Sequence, residues 1–175
     1  MKITVIGGGP GGLYFSLLTK KRMPECEIEV FEQNRADDTF GFGVVFSDET
    51  MDEFLNADPE SYDLLQGHLA YWTDIVVDRE GERSTIGGNG FAGCSRQLLL
   101  TLLQDRCRAV GVKLHFETTI DPDTFEERFA ESDLIVIGNG IGSPMRDRFA
   151  EEFGVTRQDR PNYFTWMGST KPLDA

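Results

Sequence analysis

The sequence predicts an α/β fold built on a parallel β-sheet, and three features support this prediction. The first is an apolar strand at residues 3–6 that runs directly into a glycine-rich turn. The second is an amphipathic helix over residues 95–110, and the third is an apolar strand, Leu134–Ile137, that also ends in glycines. Alternating helices and fully apolar strands are typical of parallel sheets that helices cover.

The N-terminal segment predicts a strand, a helix and a second strand in close succession. The helix, from about residue 11 to residue 21, is apolar around most of its circumference and ends before Pro24. The second strand covers Glu27–Phe31. Gly7, Gly9 and Gly12 make a G-x-G-x-x-G spacing between the first strand and the helix, and Glu32 follows the second strand.

The middle of the chain predicts smaller elements. A glycine-punctuated extended stretch covers residues 39–47, and a short helix follows over residues 47–55 with Ser47 as its N-cap. Another short helix opens at Asp58. Strands at residues 69–77 and 82–86, joined by a turn, predict a hairpin within an insertion of about residues 68–90, and residues 87–93 read as a loop.

The remaining elements complete the predicted domain. Gly111 is expected to end the amphipathic helix, and a strand follows at residues 112–116. A short helix is predicted at residues 123–130. We expect residues 1–160 to form one dinucleotide-binding domain, and residues 161–175, with a strand at 163–169, to begin a second domain.

Composition excludes several classes of function. The formal net charge of −13 and the lack of a basic stripe argue against a nucleic-acid partner and against an anionic membrane surface. Three cysteines without C-x-x-C spacing indicate neither a disulfide framework nor a zinc site, and we expect no metal. A reduced, cytoplasmic protein is the resulting expectation.

The glycine motif and Glu32 have the residue types and the spacing that a dinucleotide needs. Gly7 allows a sharp turn, Gly9 allows backbone amides to approach a pyrophosphate, and Gly12 allows the helix to pack closely on the strand. The helix N-terminus supplies unpaired amides and partial positive charge. Glu32 can accept hydrogen bonds from ribose hydroxyls and would repel a 2′-phosphate.

Two further places are candidates for the same ligand. Asn139 and Gly140 follow the strand Leu134–Ile137 and are expected at the same sheet edge, although glycines also occur in ordinary turns that need positive φ. Arg96 opens its helix, where a cation beside the positive helix end is unfavourable unless an anion is near. Arg35 could lie against an adenine, but it could equally be a surface arginine.

No residue is predicted to be catalytic. The chain has no G-x-S-x-G elbow, and two isolated histidines make a serine triad improbable. The tryptophans are expected to pack in a core or on a sheet.

Together these motifs resemble the single-component flavin-dependent aromatic hydroxylases. The stretches at residues 40–50 and 160–172 are similar to salicylyl-CoA and 2-aminobenzoyl-CoA monooxygenases, and more loosely to the violacein-pathway hydroxylase. The resemblance covers essentially the whole chain. It implies a Rossmann-like FAD-binding fold of the p-hydroxybenzoate hydroxylase type, with a parallel sheet and a small inserted β-hairpin.

The resemblance also implies cofactors and a substrate class. FAD would be reduced by NAD(P)H and would use O2 to hydroxylate an aromatic or aryl-CoA substrate. The residues expected to hold FAD are those of the glycine turn, the ribose acid and the later segments, namely Gly7, Gly9, Pro10, Gly11, Gly12, Glu32, Arg35, Arg96, Thr119, Asn139 and Gly140.

Two departures from the family pattern matter. Asn139 stands where the family usually has aspartate. No glycine is followed by aspartate, so the family's later Gly-Asp motif has no counterpart, and family members are about twice as long. We therefore expect a C-terminally incomplete chain that holds FAD weakly, does not hydroxylate alone and self-associates or lacks a C-terminal half. The alternatives are a non-catalytic nucleotide-binding remnant and an NAD-dependent oxidoreductase.

Overall fold

A computed structural model describes residues 1–163 and residue 165. The elements of this part of the chain are, in order, β1 (Lys2–Ile6), α1 (Pro10–Arg22), β2 (Glu27–Phe31), β3 (Gly43–Ser47), α2 (Asp48–Ala57), α3 (Pro59–Gln66), β4 (Ala70–Trp72), β5 (Ile75–Arg79), β6 (Glu82–Ile86), β7 (Phe91–Ser95), α4 (Arg96–Ala109), β8 (Lys113–His115), α5 (Phe125–Arg128), β9 (Leu134–Ile137) and α6 (Pro144–Arg148). The predicted α/β fold with a parallel sheet is confirmed.

The main sheet has four parallel strands in the order β8-β2-β1-β9. Ile3 of β1 lies opposite Ile28 of β2 on one side and opposite Leu134 of β9 on the other. All four strands therefore end at the same edge of the sheet. Since β1 continues into β2 on one side while β9 lies on the other, that edge includes the crevice in which open α/β sheets bind ligands.

The two faces of this sheet have separate apolar cores. Ile3 and Val5 of β1 point to the face covered by α1 and α4, where they share a core with Leu13 and Leu17. Ile6 points to the opposite face and packs in a smaller cluster with residues of α5 and α6. The alternation along β1 is the period of two that a strand buried on both sides requires.

A second, three-stranded sheet has the order β3-β7-β4, and β5 and β6 form a separate hairpin. The predicted strand at residues 69–77 is therefore wrong in part, because it divides into β4 and β5, which pair with different partners. The predicted loop at residues 87–93 is also wrong at its end, because β7 is the central strand of the second sheet. A glycine at position 93 favours a loop in the sequence. In the structure glycine is needed there within a strand, because the Trp72 ring lies 3.1 Å from where a Cβ would be.

Three other differences are smaller. The helix predicted at residues 123–130 is shortened to α5, and α6 was not predicted. The strand predicted at residues 163–169 lies largely outside the described residues. In the described part of the chain, the longest apolar helix falls short of what a membrane crossing requires.

Candidate nucleotide-binding site

An open cleft of about 490 Å³ lies where the four parallel strands end. Its volume falls in the range of small-molecule sites, roughly 300–1,000 Å³. Its lining comes from the loops after β1, β2, β8 and β9 and from the start of α4, and consists of Ile6, Gly7, Gly9, Pro10, Gly11, Phe31, Glu32, Gln33, Asn34, Phe40, Arg96, Thr118, Ile120, Gly138, Asn139, Gly140 and Met145.

Two glycines of the N-terminal motif are required by the fold itself. Gly7 has φ +114°, and a Cβ there would lie 2.5 Å from the carbonyl oxygen of Gly138. A Cβ on Gly12 would lie 2.1 Å from the carbonyl oxygen of Gly7. These two positions therefore let the β1 and β9 loops and the start of α1 approach each other.

Two other glycines have no such explanation. Gly9 and Gly11 have no positive φ, and a Cβ at either position would meet no atom within 4 Å. Both line the cleft. Nothing in the described chain requires glycine at these positions, so their bare backbone leaves room for a group that approaches from the cleft.

The start of α1 also presents free hydrogen-bond donors. Gly9 occupies the N-cap position without a side-chain cap, Pro10 follows it, and the first turn contains no acidic residue. The amides of Gly9, Gly11 and Gly12 make no hydrogen bond with the described residues. Unpaired amides at the positive end of a helix favour a bound anion.

Glu32 is directed at the glycine turn from the end of β2. Its Oε2 accepts a hydrogen bond from the Gly8 amide at 2.8 Å, and its Oε1 accepts from the Asn34 backbone and side-chain amides at 2.9 and 2.6 Å. These bonds hold the carboxylate in one orientation at the cleft wall. Each carboxylate oxygen has two lone pairs, so Oε1 is fully used and Oε2 can accept from one further donor.

Asn139 places a polar atom without a partner in the cleft wall. Its Oδ1 is buried and has no hydrogen-bond partner in the described part of the chain, whereas its Nδ2 contacts Met145 Sδ at 3.9 Å. A buried acceptor that lacks a donor is unfavourable by about 1–3 kcal/mol. A ligand with a donor at this position would remove that cost.

Arg96 brings a positive charge to the cleft. Its backbone amide donates to Phe42 O at 3.1 Å, while its guanidinium makes no hydrogen bond or ion pair with the residues the structure describes. It is the first residue of α4, which Ser95 Oγ caps by accepting from Leu98 N at 3.1 Å, and the first turn lacks acidic residues. The cleft therefore has an available cation and two helix N-termini.

Eight of the predicted residues line the cleft together, and three do not. Gly12 is buried beneath it, as its packing role requires. Thr119 is exposed and outside the lining, whereas Thr118 and Ile120 are within it. Arg35 lies beside a smaller neighbouring cavity of about 80 Å³, and its guanidinium pairs with Asp37 at 3.1 and 3.2 Å.

Sequence reasoning missed several lining residues. The Asn34 side chain donates a hydrogen bond to Glu32. The backbone amide of Thr118 donates to the Glu32 carbonyl oxygen at 2.9 Å, and this bond joins the loops after β2 and β8. Parallel strand order could have indicated Thr118, because the residues after β8 must lie beside those after β2. Phe40 carries no local signal, since it reaches the cleft from the irregular stretch before β3.

No metal site accompanies the cleft within the described residues. Among them, His, Cys, Asp and Glu form no group of three that could hold a metal ion.

Comparison with curated proteins finds relatives that are monooxygenases or hydroxylases by name. The chain is 45% identical to a salicyloyl-CoA 5-hydroxylase from a Streptomyces species, over 99% of this chain and 33% of that protein. It is 30% identical to a 3-hydroxy-4-methyl-anthranilyl (aryl-carrier protein) 5-monooxygenase from Streptosporangium sibiricum, over 99% of this chain and 48% of that protein. No protein-family model matches.

A third relative and the solved structures agree with this result. Protodeoxyviolaceinate monooxygenase of Chromobacterium violaceum is 29% identical over 99% of this chain and 46% of its own length. The fold resembles 2-methyl-3-hydroxypyridine-5-carboxylic acid oxygenase with a TM-score of 0.58 and 21% identity, over 69% of this chain and 33% of that one. It resembles PqsL of P. aeruginosa with a TM-score of 0.67 and 15% identity, over 93% and 48% of the two chains.

The chain spans about a third to a half of the length of the curated relatives it matches. The structural neighbours share its fold at low identity. The resemblance drawn from the motifs is confirmed: over 99% of its length this chain is similar to part of proteins named as a hydroxylase and as monooxygenases.

Proposed function

We propose that the cleft binds the adenosine diphosphate half of FAD. The observation that carries this proposal is the pair Gly9 and Gly11, whose bare backbone and free amides face the cleft while nothing in the described chain requires glycine there. A diphosphate is an anion of suitable shape for such a helix N-terminus. Arg96, whose guanidinium makes no hydrogen bond or ion pair with the described residues, supplies a matching positive charge.

The ribose of the adenosine would lie against Glu32. The carboxylate is held by Gly8 and Asn34, and its Oε2 keeps one lone pair for a ribose hydroxyl. A 2′-phosphate at this position would bring a second negative charge against the carboxylate, in a chain that already has a net charge of −13. The site therefore favours FAD or NAD over NADP as its resident ligand.

The lining residues fit such a group. The adenine would be flanked by the loops after β2 and β8, with Thr118 and Ile120 in the wall. Asn139 Oδ1 offers an acceptor to a hydroxyl of the ligand. Thr119 and Arg35, which are among the predicted cofactor-binding residues, lie outside this wall, so their contribution stays a prediction.

We further propose that the complete protein is an FAD-dependent monooxygenase that uses NAD(P)H and O2 on an aromatic or aryl-CoA substrate. The relatives' names support this proposal, because each acts on an aromatic compound by name. The bound flavin supplies the oxygen chemistry, and the protein orients the reactants and excludes water. The described residues provide the nucleotide end of the cofactor site, a positive charge and a positioned carboxylate.

The proposal assigns the substrate pocket to sequence outside this chain. We therefore expect residues 1–160 alone to bind nucleotide and the 175-residue chain to lack hydroxylase activity. Residues 161–175 would lead into a substrate domain. The compartment we propose is the cytoplasm, where NAD(P)H is available.

The test is a set of thermal and calorimetric titrations of the purified chain. FAD and ADP at millimolar concentration should raise the melting temperature, by mass action on the folded state. ADP that carries a 2′-phosphate should bind more weakly than ADP, and Glu32→Gln should reduce that discrimination. A yellow protein after FAD exchange, with flavin absorbance, would support the flavin assignment directly.

The same titrations separate the alternatives. Stronger stabilisation by NAD than by ADP or FAD would favour an NAD-dependent oxidoreductase instead. No stabilisation by any adenine nucleotide would contradict the proposed binding function. Substrate-dependent NAD(P)H oxidation by the 175-residue chain would contradict the assignment of the active site to a longer protein.

A further inference from the structure

A buried cluster of charged side chains joins the start of α3 to the ends of α1 and α4, which lie away from the cleft. Asp58 is fully buried, and Arg106 is buried beside it. Arg106 Nη2 donates to both carboxylate oxygens of Asp58, at 3.2 and 3.3 Å. Lys21 Nζ and Ser61 Oγ donate to the same carboxylate, and Arg106 Nη1 pairs with Glu60. Two cations thus meet two carboxylates.

The Asp58 side chain does not cap the backbone of the helix that it precedes. Asp58 occupies the N-cap position of α3, where aspartate is favoured because its side chain can accept from the first-turn amides. Its side chain makes no capping hydrogen bond. The carboxylate accepts from the Ser61 hydroxyl of α3 and also contacts the last turns of α1, through Lys21, and of α4, through Arg106.

Asp58 links α1 and α4, and the starts of these two helices line the cleft. Gly9, Pro10 and Gly11 lie at the start of α1, and Arg96 is the first residue of α4. Helices of 13 and 14 residues are about 20 Å long at 1.5 Å per residue. The cluster and the cleft therefore lie at opposite ends of the same helix pair.

Between these ends, the contact between α1 and α4 is mainly apolar. Leu13 and Leu17 of α1 share a core with Leu103 and Cys107 of α4. The Cys107 thiol also donates to Leu13 O at 3.2 Å. Apolar packing resists separation of two helices but discriminates weakly between positions along their axes, whereas a buried polar pair specifies one register.

We propose that Asp58 is a positioning residue for the nucleotide site. By fixing the lengthwise register of α1 against α4, it sets the distance between the free glycine amides at the start of α1 and the guanidinium of Arg96. This inference rests on the proposed binding function of the cleft. The carboxylate contacts no ligand and acts through the two helices.

The test compares Asp58→Asn with a control of similar structural cost. Met51→Ala removes a buried side chain from α2, whose side chains make no hydrogen bond with the Asp58 carboxylate. Both variants should lower the melting temperature. Only Asp58→Asn should also raise the ADP dissociation constant, by about 2- to 30-fold, the range of couplings between distant sites.

A spectroscopic readout separates positioning from stability. In ¹H–¹⁵N spectra of the ligand-free protein, the Gly9 and Gly11 amides and the Arg96 Nε–H should shift in Asp58→Asn and stay in place in Met51→Ala. Should Asp58→Asn fail to fold, Lys21→Met removes one donor from a partly exposed side chain and should give smaller shifts of the same signals.

The outcomes distinguish this inference from the proposal it rests on. If the wild-type chain does not bind ADP, the proposed function fails, and the glycine and Arg96 signals alone decide whether Asp58 positions the helices. If wild type binds ADP while Asp58→Asn and Lys21→Met match the Met51→Ala control in affinity and in these signals, the positioning role is overturned.

Discussion

The parallel sheet and the β5–β6 hairpin differ in how far they bury their apolar side chains. Ile3 in β1 is 0% exposed, and Ile28 and Val30 in β2 are buried with it. In the hairpin every residue is exposed, with Val76 at 54% and Ile86 at 51%. The first region carries the nucleotide cleft, and the second carries none of its lining.

This difference indicates that the two regions depend on different partners. The parallel sheet obtains its stability from α1 and α4, which belong to the same chain. An isolated two-stranded hairpin is marginal in water, and contiguous exposed apolar residues mark contact surfaces. We therefore expect the exposed apolar face of the hairpin to pack against another protein surface, for example that of a second copy.

The comparison is tested most strongly by a matched pair of isoleucines. Ile3→Ala should lower the free energy of unfolding by about 4 kcal/mol, because it leaves a cavity in a closed core. Ile86→Ala in the hairpin should change it by less than about 0.5 kcal/mol. Urea unfolding of both variants measures the difference, and equal losses would contradict the division into two regions.

A second pair concerns adjacent glycines at the start of α1. Gly12→Ala should cost about 3 kcal/mol, because its Cβ would lie 2.1 Å from a backbone oxygen that cannot move cheaply. Gly11→Ala meets no atom within 4 Å and should leave stability unchanged or slightly raised. Thermal unfolding compares the two. A destabilised Gly11→Ala protein with an unaffected Gly12→Ala protein would reverse the expectation.

The acid dependence of stability should report on Asp58. Burial by itself raises the pKa of this carboxyl, but the hydrogen bonds from Lys21 and Ser61 and the charges of Arg106 and Lys21 outweigh burial and hold the pKa below its usual value. A lowered folded-state pKa means that the contribution is complete above the unfolded value of about 3.9 and disappears as the pH falls through the folded pKa.

Asp58→Asn should accordingly be about 2 kcal/mol less stable than wild type at neutral pH, the scale of hydrogen bonds to a charged group. The difference should shrink below about pH 4. Chemical denaturation at a series of pH values measures it. A difference that grows on acidification would contradict the assigned direction of the pKa.

The cysteines should show the smallest effect, a difference in labelling rate. Burial raises the pKa of the Cys107 thiol to about 12, so that little thiolate exists near neutral pH. Cys26 is also buried, whereas Cys94 lies in β7 and is only partly buried. Iodoacetamide labelling followed by mass spectrometry should modify Cys94 first. Labelling of Cys107 before unfolding would show that the core near α1 and α4 opens locally.

The regions also differ in how well the sequence predicts them. β1, α1 and β2 follow from local signals, because an apolar run, a glycine turn and an acid at the strand end each constrain a few neighbouring residues. β7 could not be predicted, because its Gly93 is typical of a loop. Glycine fits this strand because the Trp72 ring packs over it, and that contact is not visible in the local sequence. The boundary between β4 and β5 depends on which strands they pair with, and no local turn sequence marks it.

Within the site, the same distinction applies. The glycines and Glu32 were predictable from their spacing. The prediction of Thr119 missed the lining residue Thr118 by one position, because the register after β8 is set by its pairing with β2. The ion pair between Asp58 and Arg106 joins residues 48 positions apart, and no local sequence pattern predicts a contact at that separation.

The most direct test of the central claim is a ¹H–¹⁵N titration of the chain with ADP, beside the Gly9→Ala variant. A Cβ at position 9 would enter open space in the cleft without disturbing the fold. We predict saturable shifts of the Gly9 and Gly11 amides in wild type, and an ADP affinity at least about 10-fold weaker in Gly9→Ala, since one displaced contact of 1.4 kcal/mol has that effect. Shifts that avoid the glycine turn, or equal affinity of the two proteins, would contradict the assignment of the cleft as a nucleotide site.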